Sequence, residues 1–231
     1  MREIVLDTET TGLDPKSGHR IIEIGCVELV NQLPSGGEYH VYINPQRDVP
    51  REAFAVHGLS TEMLLDKPLF ADLADGFLEF IGDSQLIIHN ASFDIGFLNW
   101  ELGACDRPLI DMGRVTDTLA IARRKHAGSP NNLDALCKRY KIDNSSREVH
   151  GALLDSQLLA EVYLELTGGK QSELGLAAES VGTKARGGEA GLNISERPKP
   201  LEPRLTEDET AAHDEFVSKL VKDAIWKNYA S

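Results

Sequence analysis

The sequence predicts an α/β domain, a mixed sheet flanked by helices, followed by a flexible linker and a short C-terminal helix. Three observations carry this reading. Runs of β-branched apolar residues recur early, helical apolar spacing takes over after residue 69, and composition changes abruptly at Gly168-Gly169. Residues 4–8, 20–30 and 39–43 read as strands, with turns at Gly18 and at the Pro34-Ser35-Gly36-Gly37 cluster. Such short connections predict an antiparallel meander. Over residues 69–81, Leu69, Leu73, Phe77 and Phe80 recur at helical spacing, and "QLIIH" (85–89) then reads as a buried strand. A helix between two strands predicts a parallel addition to the sheet. Further helices are expected at 93–102, 115–124, 133–139 and 151–167. Trp100 and Tyr163 lie at helical spacing and read as packing residues.

Composition removes several classes. Of 231 residues, 41% are hydrophobic and 26% charged, which suits one sizeable core plus an appendage. No stretch approaches the roughly 20 apolar residues of a membrane span, and Arg2 and Glu3 open the chain. A cytoplasmic protein with no membrane partner is expected. Cys26, Cys105 and Cys137 show no C-x-x-C pairing, so reduced thiols are expected rather than disulfides or a zinc knuckle. The net charge is −13, and residues 1–168 hold 15 Lys and Arg against 26 Asp and Glu, a net of −11. A protein that grips nucleic acid unaided normally presents a basic face. Any nucleic-acid substrate of this domain has to be delivered to it or tethered near it.

Residues 169–205 are rich in Gly, Ser, Ala, Glu and Pro without sustained periodicity, which is linker composition. The expected organisation is a compact domain at 1–168, a linker at 169–205 and a terminal element at 206–231.

Two acids, Asp7 and Glu9, sit where the first strand ends, in "VLDTETTGLD". Side chains at i and i+2 of a strand share a face, so the two carboxylates converge. Asp94 lies three and four residues before Phe97 and Leu98, and Asp155 lies three, four and seven before Leu158, Leu159 and Val162. Both acids therefore fall on the apolar stripes of their helices. A carboxylate among core positions is costly unless it is paired or binds metal. Neither helix offers a base at matching spacing, although a partner from elsewhere in the fold remains open. An all-oxygen set of four carboxylates suits hard divalent cations, Mg2+ or Mn2+, rather than zinc. Two such ions roughly 4 Å apart can clamp the attacking and leaving oxygens of a phosphoryl displacement. His150, five residues before Asp155, would point about 140° away from it if both were helical. The histidine is therefore expected on the preceding loop, from which it could take a proton from the attacking water.

At these residues the chain resembles the DEDD exonucleases of the His-bearing subtype, in "DTETTG", "HNASFDIGFL" and "HGALLD". The likeness extends through "RIIEIGCVELV", "EAFAVHGLS" and "NNLDALCKRYKIDNS", covering nearly all of residues 3–169. It implies a ribonuclease H-like fold and 3′–5′ hydrolysis of DNA ends by two divalent cations. It further implies that Asp7 bridges both ions, that Glu9 and Asp155 hold the ion bearing the nucleophilic water, and that Asp94 supports the second. His150 would be the base. Thr8, Thr10, Thr11 and Gly12 would contact the terminal nucleotide, Glu52 and His57 would border it, and Asn90 and Phe93 would support it. His89, at the end of a strand, reads as a satisfied core residue. An RNA-trimming enzyme of the same class and a non-catalytic assembly subunit are the alternatives.

In the tail, Thr206 and Glu209 stand at capping-box spacing, and Phe216, Val217, Leu220, Val221, Ala224 and Ile225 form one apolar stripe. An amphipathic helix on a linker either folds back or docks in a partner's groove. The resemblance implies docking on a polymerase catalytic subunit, with proofreading of DNA 3′ ends as the function. Separately, "QSELGL" looks similar to a sliding-clamp-binding peptide, with Gln171, Leu174 and Leu176 as its expected anchors.

Overall fold

The computed structural model describes residues 1–145, 147, 149–168 and 206–220. Three strands open the chain: β1 (Arg2–Thr10), β2 (Ile21–Val30) and β3 (Leu33–Tyr42). Helices α1 (Arg51–His57), α2 (Thr61–Leu64) and α3 (Phe70–Ile81) follow, then β4 (Gln85–Ile88), α4 (Ala91–Ala104) and β5 (Val115–Asp117). Helices α5 (Thr118–Lys125), α6 (Leu133–Tyr140) and α7 (Ala152–Thr167) complete this unit, and α8 (Glu207–Leu220) stands in a separate one.

The sheet order is β3-β2-β1-β4-β5. The first three strands form the expected meander, β1 running antiparallel to β2 from Arg2↔Val30 to Thr10↔Ile21. Strand β4 joins β1 in parallel, and β5 joins β4 in parallel. This is the mixed, ribonuclease H-like sheet that the motifs imply. Its central strands are apolar on both faces because helices cover both. Ile4, Leu6, Ile24 and Cys26 pack with Phe70, Phe77 and Phe97 on one side. Val5, Val27 and Ile87 pack with Leu136, Leu158 and Val162 on the other. The period-two alternation of β1 thus divides its residues between two cores.

Four expectations need correction. Residues 115–117 are a strand and the helix begins at Thr118, because Asp117 accepts a hydrogen bond from Leu119 N at 2.9 Å and caps it there. The hairpin turn is Asn31-Gln32, with φ of 53° and 66°, and the Pro34–Gly37 cluster lies inside β3. Asn and Gln at positive φ give a two-residue turn that carries no glycine signal. Helices α1 and α2 were not expected at all, being too short for periodicity to register. Trp100 is 46% exposed rather than packed, whereas Tyr163 is buried and donates to the buried Glu3 carboxylate at 2.9 Å.

Cys26 and Cys137 are buried free thiols, and Cys105 is a half-buried one. No helix among the described residues is long and apolar enough to cross a membrane. Helix α8 opens with the expected capping box, Thr206 N donating to Glu209 at 2.9 Å and Glu209 N to Thr206 Oγ1 at 3.3 Å. Val217 is buried and Phe216 exposed. Val221, Ala224, Ile225, the 169–205 linker and the peptide of Gln171, Leu174 and Leu176 lie outside the described residues.

The contact that positions the functional end of the sheet is between β2 and α7. Gly25, paired with Asp7, lies so close to α7 that a Cβ there would stand 2.2 Å from the backbone of Ala152 and Leu153. Ser156 Oγ donates to Gly25 O at 2.9 Å and fixes the same approach. Only glycine allows it. Gly25→Ala is therefore expected to cost about 2–3 kcal/mol in urea unfolding, since backbone cannot yield as a side chain does. Gly76→Ala, in α3 with open space around it, is expected to be neutral or to stabilise by about 0.5–1 kcal/mol.

Candidate active site

The alternation of β1 continues beyond its apolar residues. Asp7 and Glu9 fall on the face of Val5, towards α7, and Thr8 falls on the face of Leu6, towards α4. Thr8 there donates to Asp94 Oδ1 twice, from its backbone N at 3.1 Å and from Oγ1 at 2.7 Å. Asp94 stands in the first turn of α4, entered through Asn90 at φ 66°. Asn90 N donates to Asp117 Oδ1 at 3.1 Å, which ties the β4–α4 junction to the start of α5. Asp155 stands in the first turn of α7, brought over Asp7 by the approach at Gly25. Both aspartates thus occupy the positive end of a helix, where a carboxylate is favoured.

His150 lies on the loop before α7, as expected, and its N–H donates to Val56 O at 3.0 Å. Its Nδ1 is 3.7 Å from Asp155 Oδ2. Ligand atoms of Glu9, His150 and Asp155 all fall within 4.8 Å of one another. Asp7, Glu9, Asp94, Asp155 and His150 line one cavity of about 450 Å3. Three distant segments therefore deliver the carboxylates to one place.

The residue missed in the sequence is Arg147. Its side chain is 6% exposed; Nε and Nη2 donate to Asp155 at 2.5 and 2.7 Å, Nη1 donates to Asp134 at 2.7 Å, and Nη2 lies 3.0 Å from His150 Nδ1. The buried Asp155 thus has a cationic partner from outside its own helix. A lone base three residues before His150 was the available signal, but loop residues carry no periodicity that would show where they point. His89 is also more than a core residue, since it is half-buried and lines the same cavity with Nδ1 2.9 Å from Thr118 Oγ1.

A second cavity, of about 600 Å3, adjoins the first and shares Thr8, Glu9 and Phe93 with it. Thr10, Thr11, Gly12, Glu52 and His57 line it. The Thr10 hydroxyl donates to Gly12 O at 2.6 Å and the Thr11 hydroxyl accepts from Arg20 N at 3.0 Å, so these threonines first of all hold the turn. His57 Nδ1 accepts from Leu59 N at 3.1 Å, which leaves the proton on Nε2. That Nε2 is buried without a hydrogen-bond partner among the described residues. Burial, with the nearby His150, lowers the His57 pKa, so the ring favours the neutral form.

Burial raises the pKa of Glu9 to about 8, with Asp155, Glu23 and Asp94 adding to the rise. Asp94 is raised to about 7, again by burial first, against the lowering effect of the Thr8 hydrogen bonds. Asp7 is raised well above the ordinary carboxylate range by burial and by Asp94, Glu9 and Asp155. Crowded buried carboxylates of this kind, with oxygens to spare, are the donor set a hard divalent cation requires. Folded Glu9 and Asp94 keep protons that the unfolded chain releases near their ordinary values of 4.5 and 3.8. Their contribution to stability is present below about pH 4 and is lost as pH rises through about 7 to 8. In chelator, the melting temperature is expected to fall between pH 5 and 8, less steeply in Glu9→Gln, and Mn2+ at pH 8 is expected to restore it; parallel pH profiles for the two proteins would contradict the assignment.

Residues 4–163 match the exonuclease family. The DNA polymerase III subunit epsilon of Rickettsia felis is 52% identical over 227 residues, 97% of this chain and 99% of that protein. That of Escherichia coli strain K12 is 47% identical, over 98% of this chain and 97% of that one. Among solved structures, exonuclease X in complex with 5′ overhanging duplex DNA superposes with a TM-score of 0.57 at 26% identity, covering 72% of this chain and 91% of that one. A fold, a cavity and a sequence likeness over nearly the whole chain converge, and the chain belongs to the exonuclease family and, within it, to the DNA polymerase III epsilon subunits.

Proposed function

We propose that this protein is a 3′–5′ DNA exonuclease that proofreads for a replicative polymerase, removing mispaired primer ends as 5′-mononucleotides. The observation that carries this reading is the meeting of Asp7, Glu9, Asp94, Asp155 and His150 in one cavity beside a second that can seat a terminal nucleoside. Asp7, Glu9, Asp94 and Asp155 hold two divalent cations, Mg2+ or Mn2+, which supply a polarised water and stabilise charge on the scissile phosphate. Thr8, Thr10, Thr11 and Gly12 contact the terminal nucleotide, Glu52 and His57 border it, and Asn90 and Phe93 support it.

Arg147 gives Asp155 its counter-ion. Both Asp155 oxygens and Asp134 Oδ1 accept from it, and its Nη2 also lies against the His150 Nδ1. A neutral His150 that accepts there carries its proton on Nε2 and has no lone pair left for a base. When Arg147 swings away, the Asp155 oxygens and the His150 Nδ1 are freed together. His150 then accepts the proton of the attacking water. Mismatch preference needs no reading of bases, because a mispaired end frays readily and the site takes an unstacked strand.

The division into a catalytic domain at 1–168, a linker at 169–205 and a tail at 206–231 belongs to this proposal. The tail docks on the polymerase catalytic subunit, and Gln171, Leu174 and Leu176 anchor a sliding-clamp contact. Tethering suits a domain with net charge −11, because effective concentration replaces intrinsic affinity for DNA.

Degradation of a 3′-mispaired primer, with and without Mg2+, tests the catalytic assignment. Asp7→Ala is expected to lower the rate by roughly three orders of magnitude while circular dichroism stays unchanged. Retained activity would favour a non-catalytic assembly subunit, and faster digestion of RNA than of DNA would favour an RNA-trimming enzyme. Ending the chain after Gly169 is expected to preserve hydrolysis and abolish co-purification with the polymerase subunit; persistent co-purification would move the interface to the globular domain.

A further inference from the structure

The domain is acidic, but its cations are not evenly spread. Residues 118–141 carry six Lys and Arg (Arg123, Arg124, Lys125, Lys138, Arg139, Lys141) against one acid, Asp134, which Arg147 already neutralises. A groove of about 710 Å3 opens in this segment and runs into the catalytic cavity, with which it shares His89, Asn90 and Asn132. Arg123 lines it and makes no hydrogen bond or ion pair among the described residues. The loop that forms its wall is held in place: Asn131 Nδ2 donates to Ser129 O at 2.8 Å, and Arg139 Nη2 donates to Pro130 O at 2.9 Å.

The catalytic cavity is thus flanked on two sides by spaces of opposite character. The nucleoside cavity, reached through Thr8, Glu9 and Phe93, has Glu9, Asp14 and Glu52 in its wall. The groove, reached through His89, Asn90 and Asn132, has no acid in its wall and has Arg123. A 3′-terminal nucleotide brings no phosphate beyond the scissile one, so an acidic wall does not repel it. The strand on the other side of the scissile bond carries one negative charge per nucleotide and has to leave by a route that tolerates it. We propose that the groove carries the backbone phosphates of the strand immediately 5′ of the scissile bond, with Arg123 as their anchor. This rests on the exonuclease reading. It gives an acidic domain a local basic contact for a polyanion, at a wall that carries Arg123 and no acid.

The test compares two substrates of the full-length protein. The p-nitrophenyl ester of thymidine 5′-monophosphate has the terminal nucleoside and a scissile phosphate but no strand beyond it; oligothymidylates of two to six residues add that strand stepwise. For the parent, KM is expected to fall as the oligonucleotide lengthens. Arg123→Ala is expected to raise KM for the hexamer about five- to tenfold, and Arg123→Glu more. The slope of log KM against log salt should shrink by about 0.7, the value of one contact to a single strand. The ester, having no strand to lose, should keep its KM. Hexamer KM equal to the parent's would overturn the groove assignment, and so would equal losses on ester and hexamer, which would mark Arg123 as structural. A parent protein inactive on both substrates would overturn the exonuclease reading, and the groove with it.

Discussion

Repulsion among four carboxylates in one cavity is the constraint around which this protein is arranged. Burial raises Asp7, Glu9 and Asp94 above the ordinary carboxylate range, and neighbouring carboxylates raise Asp7 and Glu9 further, so the site is costly to fold without a cation. Each supporting feature reduces that cost in a different way. Asp94 and Asp155 sit at helix N-termini, Thr8 gives Asp94 two donors, and Arg147 gives Asp155 a bidentate partner. The two apolar cores on either side of β1 hold the rest rigid, so the acids cannot relieve their repulsion by drifting apart.

Much of this was legible in the sequence, and the reasons are particular. Asp7 and Glu9 are visible because strand periodicity is two and the apolar run before them is unambiguous. Asp94 and Asp155 are visible because each interrupts an apolar stripe at helical spacing. These signals are local: each needs only its own element to be read. Arg147 was invisible for the converse reason. Its partners Asp134 and Asp155 lie 13 and 8 residues away, on two different helices, and nothing in loop sequence fixes direction. Residues 115–117 were read as helix because three half-buried residues cannot establish a period, and Asp117 marks the boundary only when its cap is seen. The hairpin at Asn31-Gln32 was displaced towards the glycines of β3, where composition favoured a turn that geometry did not use.

Gly25 shows how backbone rather than side chain can determine a site. Its absent Cβ lets α7 descend onto β2 opposite Asp7, and this descent brings Asp155 to the strand end. The His150 loop is hung between α7 and Val56 O at the end of α1. Helix α1, unforeseen from periodicity, thereby links the second cavity to the loop that carries the proposed base. Glu52 and His57, from the same helix, line that cavity, so its wall and the position of His150 are mechanically one unit.

Charge is sorted in space as well as balanced. A net of −11 over residues 1–168 would repel a polyanion if spread evenly, yet six of the 15 basic residues fall within 118–141. Asp134, the acid within that stretch, is paired with Arg147, so the same guanidinium that steadies Asp155 also offsets a negative charge inside the basic segment. Its contacts with Asp155 and Asp134 thus join the acidic cavity to the basic segment. One arginine then serves two neighbouring regions of opposite sign, which explains why a cation is buried on a loop in an otherwise acidic domain.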